Sequence, residues 1–216
     1  MIETTVHLVR HGDVHNPGGI LYGRLAGYHL SELGRKMSER IGDSLAGHNV
    51  VAVISSPLER ARETAQPIAD RFEVSVRLDD RLVEAANVFE GRTFGVGDGS
   101  LRRPAYWRHL HNPFRPSWGE PYLAQVQRML AAVASARDLA VRQGGGSEAV
   151  CVSHQLPIWV TRCFVERRRL WHDPRRRQCS LASVTSFIYR GQEIVGVVYS
   201  EPAKDLMPTY KPIAGA

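Results

Sequence analysis

The octapeptide Thr5-Val6-His7-Leu8-Val9-Arg10-His11-Gly12 decides how this chain is read. Residues 5–10 are apolar enough, and short enough, for a buried strand. The run then delivers an arginine, a histidine and a glycine at its end. In open α/β sheets, ligands bind just beyond the carboxyl ends of strands. The place of His11 therefore counts as much as its identity.

The segments further along repeat this pattern. Residues 31–45 carry Leu33, Met37, Ile41 and Leu45 at four-residue spacing, which predicts one face of a helix. Residues 50–54 are β-branched and apolar, a second strand. Ser56-Pro57-Leu58-Glu59 then predicts a helix start, with Ser56 as cap, Pro57 in the first position and Glu59 completing a capping box. Leu58, Ala61, Ala65 and Ile68 give that helix an apolar side. Residues 74–78 read as a third strand, 149–153 as a fourth, and 184–189 with 194–199 as a hairpin turning at Arg190-Gly191-Gln192. Helices are expected over 121–142, stopped by Gly144-Gly145-Gly146, and over 156–165.

Alternating strands and helices predict an α/β fold: a three-layer α/β/α sandwich with a mostly parallel central sheet and an antiparallel closing hairpin. A single domain over 1–216 is expected. Residues 85–120, with Gly91, Gly95, Gly97 and Gly99 followed by Pro104, Pro113, Pro116 and Pro121, form an irregular insert.

If the predicted strands are parallel and adjacent, their ends bring together Arg10, His11, Arg60, Glu84, His154 and Gln155. Arginine offers a fork of donors that matches phosphate oxygens. Neutral imidazole is a competent nucleophile near neutral pH, and neighbouring arginines favour the neutral form. A carboxylic acid of raised pKa can protonate a leaving alkoxide. Glu84 and Glu90 both compete for that last role, with Glu84 favoured.

The chain has 216 residues, 43% hydrophobic and 23% charged, which is ordinary for a globular protein with its own core. Cys151, Cys163 and Cys179 are odd in number and lack metal-ligand spacing. No apolar run approaches the roughly 20 residues of a membrane helix, and Met1-Ile2-Glu3-Thr4-Thr5 is unlike a signal peptide. A cytoplasmic setting without membrane contact is expected. The net charge of +6 comes largely from Arg167-Arg168-Arg169 and Arg175-Arg176-Arg177, read as a solvated face rather than a nucleic-acid surface. His15, four residues after His11, finds no third metal ligand at suitable spacing. Tyr22 and Arg24 either border the pocket or pack in a loop. The sequence leaves the oligomeric state open, and a homodimer is compatible with it.

Leu8-Val9-Arg10-His11-Gly12 resembles the signature of the histidine phosphatase superfamily, the group that includes cofactor-dependent phosphoglycerate mutases. The stretch from Ser55 through Ser56-Pro57-Leu58-Glu59-Arg60-Ala61-Arg62-Glu63-Thr64 to Ala65 is similar to the second motif of that family, and Val152-Ser153-His154 to the third. The resemblance spans residues 5–200. It implies a phosphoglycerate mutase-like fold and a metal-free, cofactor-free hydrolysis of a small phosphate ester through a phosphohistidine. His11 is then the nucleophile, Arg10 and Arg60 hold the phosphate, His154 stabilises the transition state and Glu84 is the proton donor. Asn16 and the backbone at Gly23 would lie near the phosphate, and residues 85–120 would cap the site.

Three departures stand out. Asp13-Val14 replaces the usual Glu-Thr, Asn16 falls one residue early, and Gln155 stands where the family usually has glycine. A phosphoglycerate-type mutase and a non-catalytic phosphate-binding module are the alternatives. Mutases are typically longer, with a fuller stretch after the acid, and binding alone requires neither nucleophile nor acid.

Overall fold

The computed structural model describes residues 3–93, 104–112 and 114–207. Gly95, Gly97, Gly99, Arg102, Arg103 and Pro113, all in the expected insert, lie outside the described residues. One sheet contains β1 (Glu3–Arg10), β2 (Val50–Ser55), β3 (Val76–Leu78), β4 (Glu148–Ser153), β5 (Val184–Arg190) and β6 (Glu193–Ser200), in the order β3-β2-β4-β1-β5-β6. The first four strands are parallel, and β5 and β6 add antiparallel at one edge. The helices are α1 (Glu32–Ser44), α2 (Glu59–Arg71), α3 (Pro104–Trp107), α4 (Tyr122–Gln143) and α5 (Gln155–Val165).

The layering follows from strand alternation, which sends successive side chains to opposite faces. On one face Val6, Leu8, Ala149 and Cys151 pack with Met129 and Val133 of α4 and Ile158 and Trp159 of α5. On the other, Val9, Val150 and Val152 pack with Met37 and Ile41 of α1 and Ala61, Ala65 and Ile68 of α2. Central strands covered on both faces are largely apolar, which is why Val6, Leu8 and Val9 mark residues 5–10 as a buried strand. The three cysteines are free and buried, and burial pushes the Cys151 thiol up to about 12, so it packs as a small apolar residue. Among the described residues, no helix is long and apolar enough to cross a membrane.

The start of α2 differs from expectation. Leu58, not Ser56, is the N-cap, and no side chain caps the helix. The Ser56 hydroxyl lies 2.8 Å from His154 Nε2 and only 3.4 Å from the Leu58 amide. Glu59 Oε1 accepts from the Gly27 amide at 3.1 Å instead of turning back on its own helix. The expected cap is diverted to the histidine that follows β4. By contrast α1 is capped as a helix should be: the Ser31 hydroxyl oxygen accepts from the Gly34 amide at 3.0 Å and the hydroxyl donates to Asp13 Oδ2 at 2.6 Å.

At the opposite end of the sheet, Glu148 Oε2 joins His7 Nε2 at 2.7 Å and His48 Nδ1 at 2.8 Å, and His7 Nδ1 meets the Ser186 hydroxyl at 2.8 Å. This network ties β1, β4, β5 and the turn before β2 far from the strand ends that carry the chemistry.

The entry of α1 presses backbone against backbone beside His11. A Cβ on Gly34 would sit 2.0 Å from the Asp13 carbonyl oxygen, and one on Gly12 would sit 2.5 Å from the Gly34 carbonyl oxygen. Neither neighbour is a side chain that can swing away. Gly34→Ala is expected to cost about 1–3 kcal/mol, read as a lower urea midpoint at unchanged m-value.

Candidate active site

The strand order sets the carboxyl ends of β2, β4 and β1 side by side. The His11 amide donates to the Ser153 carbonyl at 3.2 Å and the Ser56 amide to the Val152 carbonyl at 2.9 Å. The ladders thus continue one residue past the strands, and His11, Ser56 and His154 are held together by backbone.

His11 is fully buried. Its Nδ1 lies 2.8 Å from the carbonyl oxygen of Gly12. A carbonyl only accepts, so Nδ1 carries the proton and Nε2 keeps its lone pair. Nε2 is buried with no hydrogen-bond partner. Burial, then the charges of Arg60 and Arg10, hold this imidazole well below the usual histidine value, against the Gly12 hydrogen bond, which works the other way. His154 is equally buried, with ring centroids 5.2 Å apart from those of His11. Burial, then Arg60 and His11, push it down as well. Its Nε2 is engaged by Ser56, and Nδ1 has no partner.

Arg60, in the first turn of α2, is fully buried. Its Nη2 donates to the Gly23 carbonyl at 2.6 Å, and its guanidinium lies 4.6 Å from the centroid of the buried Tyr22 ring. Nε and Nη1 have no partner. Arg10 donates from Nη1 to the Cys179 carbonyl at 2.8 Å. Gly23 has φ of 41°, in the left-handed region, and a Cβ there would fall 2.4 Å from Glu90 Oε1. Only glycine presents this carbonyl to Arg60 without displacing Glu90.

The two candidate acids separate cleanly. Glu84 is buried, its Oε1 accepts from the Ala85 amide at 2.7 Å, and burial raises its pKa against the pull of that amide, Arg60, Arg177 and Arg128. Glu90 is half-buried and accepts from the Asn87 amide at 3.2 Å, bracing its own turn. Tyr22 belongs to the pocket, while Arg24 donates to the Glu84 carbonyl at 2.6 Å and to Glu120 at 2.9 Å.

Asn16, expected near the phosphate, and Gln155, expected at the strand ends, both have partners within the protein. Both ends of the Asn16 amide are spent on Ile20, at 2.8 and 3.0 Å, so this side chain braces its own loop. Gln155 does not stand open: it donates to the Cys179 carbonyl at 3.3 Å and accepts from Arg177 Nη1 at 3.2 Å. His15 is exposed and makes no pair with His11.

Arg177 is the residue that its sequence context hid. Arg167, Arg168, Arg169, Arg175 and Arg176 are exposed as expected, but Arg177 is half-buried against Gln155. The available signal was Asp173-Pro174, a turn in which Asp173 accepts from the Arg175 amide at 3.0 Å and redirects the chain before Arg177.

In the insert, Leu21, Phe89 and Tyr106, with Leu110 and Trp118 against them, form a small apolar cluster. It fixes α3 to the loop that leads into Tyr22 and Gly23.

A mostly parallel sheet thus gathers at its strand ends two neutral imidazoles, buried guanidinium donors and a carboxyl of raised pKa. The chain belongs to the histidine phosphatase superfamily, branch 1, whose family model matches residues 6–201. It is 59% identical over 201 residues to an uncharacterized protein of Mycobacterium tuberculosis, covering 93% of this chain and 98% of that one. It is 31% identical over 153 residues, 70% of each chain, to a 2,3-bisphosphoglycerate-dependent phosphoglycerate mutase of Thermoplasma acidophilum. In fold it is similar to a mycobacterial glucosyl-3-phosphoglycerate phosphatase solved with inorganic phosphate, with TM-score 0.70 over 91% of this chain and 95% of that chain at 22% identity.

His11 and His154 make stability depend on pH. Their native pKa values lie below the unfolded value of about 6.5, so below that pH the unfolded chain binds more protons than the native one. Stability then rises with pH and falls on acidification, by up to about 1.4 kcal/mol per pH unit for each histidine. Urea midpoints measured from pH 7.5 down to 5.5 should decline, and His11→Gln should shallow the slope. An unchanged slope in that variant would place the titration elsewhere.

Proposed function

We propose that this protein is a metal-independent phosphomonoester hydrolase working through a phosphohistidine on His11. The observation that carries the reading is the His11 ring itself: buried, neutral, with Nδ1 committed to the Gly12 carbonyl and Nε2 unpartnered.

In the first step the Nε2 lone pair attacks phosphorus in line with the ester oxygen. The N–P bond forms, the P–O bond breaks, and the leaving alkoxide takes its proton from Glu84. The imidazole becomes a phosphorylated cation, stabilised by the Nδ1–H bond to Gly12. In the second step Glu84, now a carboxylate, takes a proton from water as the water oxygen attacks phosphorus. The N–P bond breaks, inorganic phosphate leaves, and Glu84 is protonated again.

Arg10 and Arg60 offer N–H donors to the equatorial oxygens, which gain charge in the transition state. With the Ser56 hydroxyl donating to Nε2, His154 keeps its proton on Nδ1 and supplies a further donor. Arg60 needs such a ligand: two of its buried nitrogens have no other partner. The described part of the insert, with Phe89, Tyr106, Leu110 and Trp118 packed together, serves as part of a cap beneath which the small phosphorylated metabolite enters.

The similarity to a phosphoglycerate mutase supports a second reading, in which the phosphohistidine returns its phosphate to an organic acceptor. Phosphate appearing at a second substrate position faster than in water would select it.

The protein should release phosphate from an aryl phosphate in excess chelator, and His11→Ala should reduce turnover by at least about a thousandfold with the circular-dichroism spectrum unchanged. Loss of activity on chelation would rule out the metal-independent reaction. The acid is tested separately. Glu84→Gln should slow an alkyl phosphate by about 10²–10⁴, more than an aryl phosphate whose leaving group needs no proton. It should also remove the decline in rate that wild type shows as pH rises through the raised Glu84 pKa. Glu90→Gln should do neither.

A further inference from the structure

The cation count at this site exceeds what one phosphoryl group requires. Arg10 and Arg60 suffice for the transferring phosphate, yet Arg177 reaches the same place by a short chain of contacts. The Cys179 carbonyl accepts from Arg10 Nη1 at 2.8 Å and from Gln155 Nε2 at 3.3 Å, and Gln155 Oε1 accepts from Arg177 Nη1 at 3.2 Å. Gln155 directly follows His154, so Arg177 stands one side chain away from the catalytic imidazoles.

The hydrogen bonds that hold Arg177 there go to neutral groups, and Glu84 acts on it electrostatically without a salt bridge. His172 Nδ1 lies 2.6 Å from the Leu170 carbonyl, so it carries the proton and leaves Nε2 as an acceptor. Arg177 Nε donates to that Nε2 at 2.8 Å. Burial and the charge of Arg177 keep His172 down to about 4, so it remains an acceptor through the physiological range. Among the described residues Arg177 makes no ion pair, and its Nη2 has no hydrogen bond. A guanidinium half removed from water, hydrogen-bonded to two neutral acceptors and in no salt bridge, keeps Nη2 to offer to an incoming anion. Its neighbours fit that use. The Tyr122 ring lies 5.8 Å from that of His172 and so walls the same corner. Arg175 and Arg176, next in the chain, face solvent and are not part of it.

We propose that Arg177 recognises a second anionic group, a carboxylate or another phosphate, on the phosphomonoester substrate. This rests on the hydrolase reading of the site and narrows its substrate class to doubly anionic esters. Gln155 and His172 act as positioning residues that aim the guanidinium.

The test compares three alkyl esters of similar size: glycerol 3-phosphate, which lacks a second anion, 3-phosphoglycerate, which adds a carboxylate, and propane-1,3-diol bisphosphate, which adds a phosphate. Wild type should favour one of the doubly anionic esters over glycerol 3-phosphate, and which one identifies the group. Arg177→Met should reduce that kcat/KM ratio by about 10–100-fold, chiefly through KM, and Arg177→Lys should restore part of it. No preference in wild type, or an equal loss on all three esters, overturns the proposal. An equal loss in kcat with a displaced pH profile would assign Arg177 to tuning Glu84 instead. Calorimetry separates this from the hydrolase reading. Even if no ester were turned over, the Kd of 3-phosphoglycerate or of the bisphosphate, relative to that of inorganic phosphate, should rise about 10–100-fold in Arg177→Met. An unchanged ratio for both ligands overturns the recognition.

Discussion

A fully buried guanidinium with two unpartnered nitrogens governs this site. Among the described residues Arg60 has one side-chain hydrogen bond, to Gly23, and the face of Tyr22 beside it. Removing a charge from water costs several kcal/mol unless hydrogen bonds and an opposite charge compensate. Glu84 and Glu59 supply part of that opposite charge, and on the proposed reading a phosphate supplies the rest. Burial does most to set protonation nearby: with the help of the arginine charges it keeps His11 and His154 neutral, and against those charges it raises Glu84 toward its protonated form. An imidazole with a free lone pair and a carboxyl inclined to keep its proton therefore coexist because the site is dry.

The scaffold serves that constraint by bringing backbones close. Three parallel strand ends fix His11, Ser56 and His154 through main-chain bonds, and Gly12 and Gly34 let the entry of α1 lie directly against the chain after His11. Thr64 joins the two: its hydroxyl donates to the Arg60 carbonyl at 2.7 Å, and its oxygen accepts from the Gly12 amide at 3.1 Å. The carbonyl of Gly12 is thereby aimed at His11 Nδ1, which decides the tautomer. Fold and reactivity meet in this one residue.

Much of this was legible in the sequence. Mostly apolar runs over 5–10, 50–54 and 149–153 foretold both a parallel sheet and the edge where side chains gather. Gly191 and its flanking strands marked the hairpin, where φ of 64° needs a glycine. Local signals failed where tertiary contacts took over the groups they depend on. Ser56 has the pattern of a helix cap, but His154, nearly a hundred positions away, claims its hydroxyl. Asn16 looked like a ligand for phosphate, but its amide closes its own loop onto Ile20. Arg177 sits in a run of arginines that composition assigns to solvent, and only the turn at Asp173 and the acceptors Gln155 and His172 separate it from its neighbours. Sequence spacing could separate Glu84 from Glu90 only weakly. Burial separates them because one carboxyl lies within the field of Arg60 and the other braces a turn.

The central claim is that phosphate passes through His11 Nε2. The most direct measurement is rapid quenching of the protein into alkali during turnover of an aryl phosphate, followed by peptide mass spectrometry under non-acidic conditions. A phosphoryl group is expected on His11, stable to base, lost in acid and absent from His11→Ala. Steady turnover with no phosphate on the protein, or with phosphate on another residue, would contradict it.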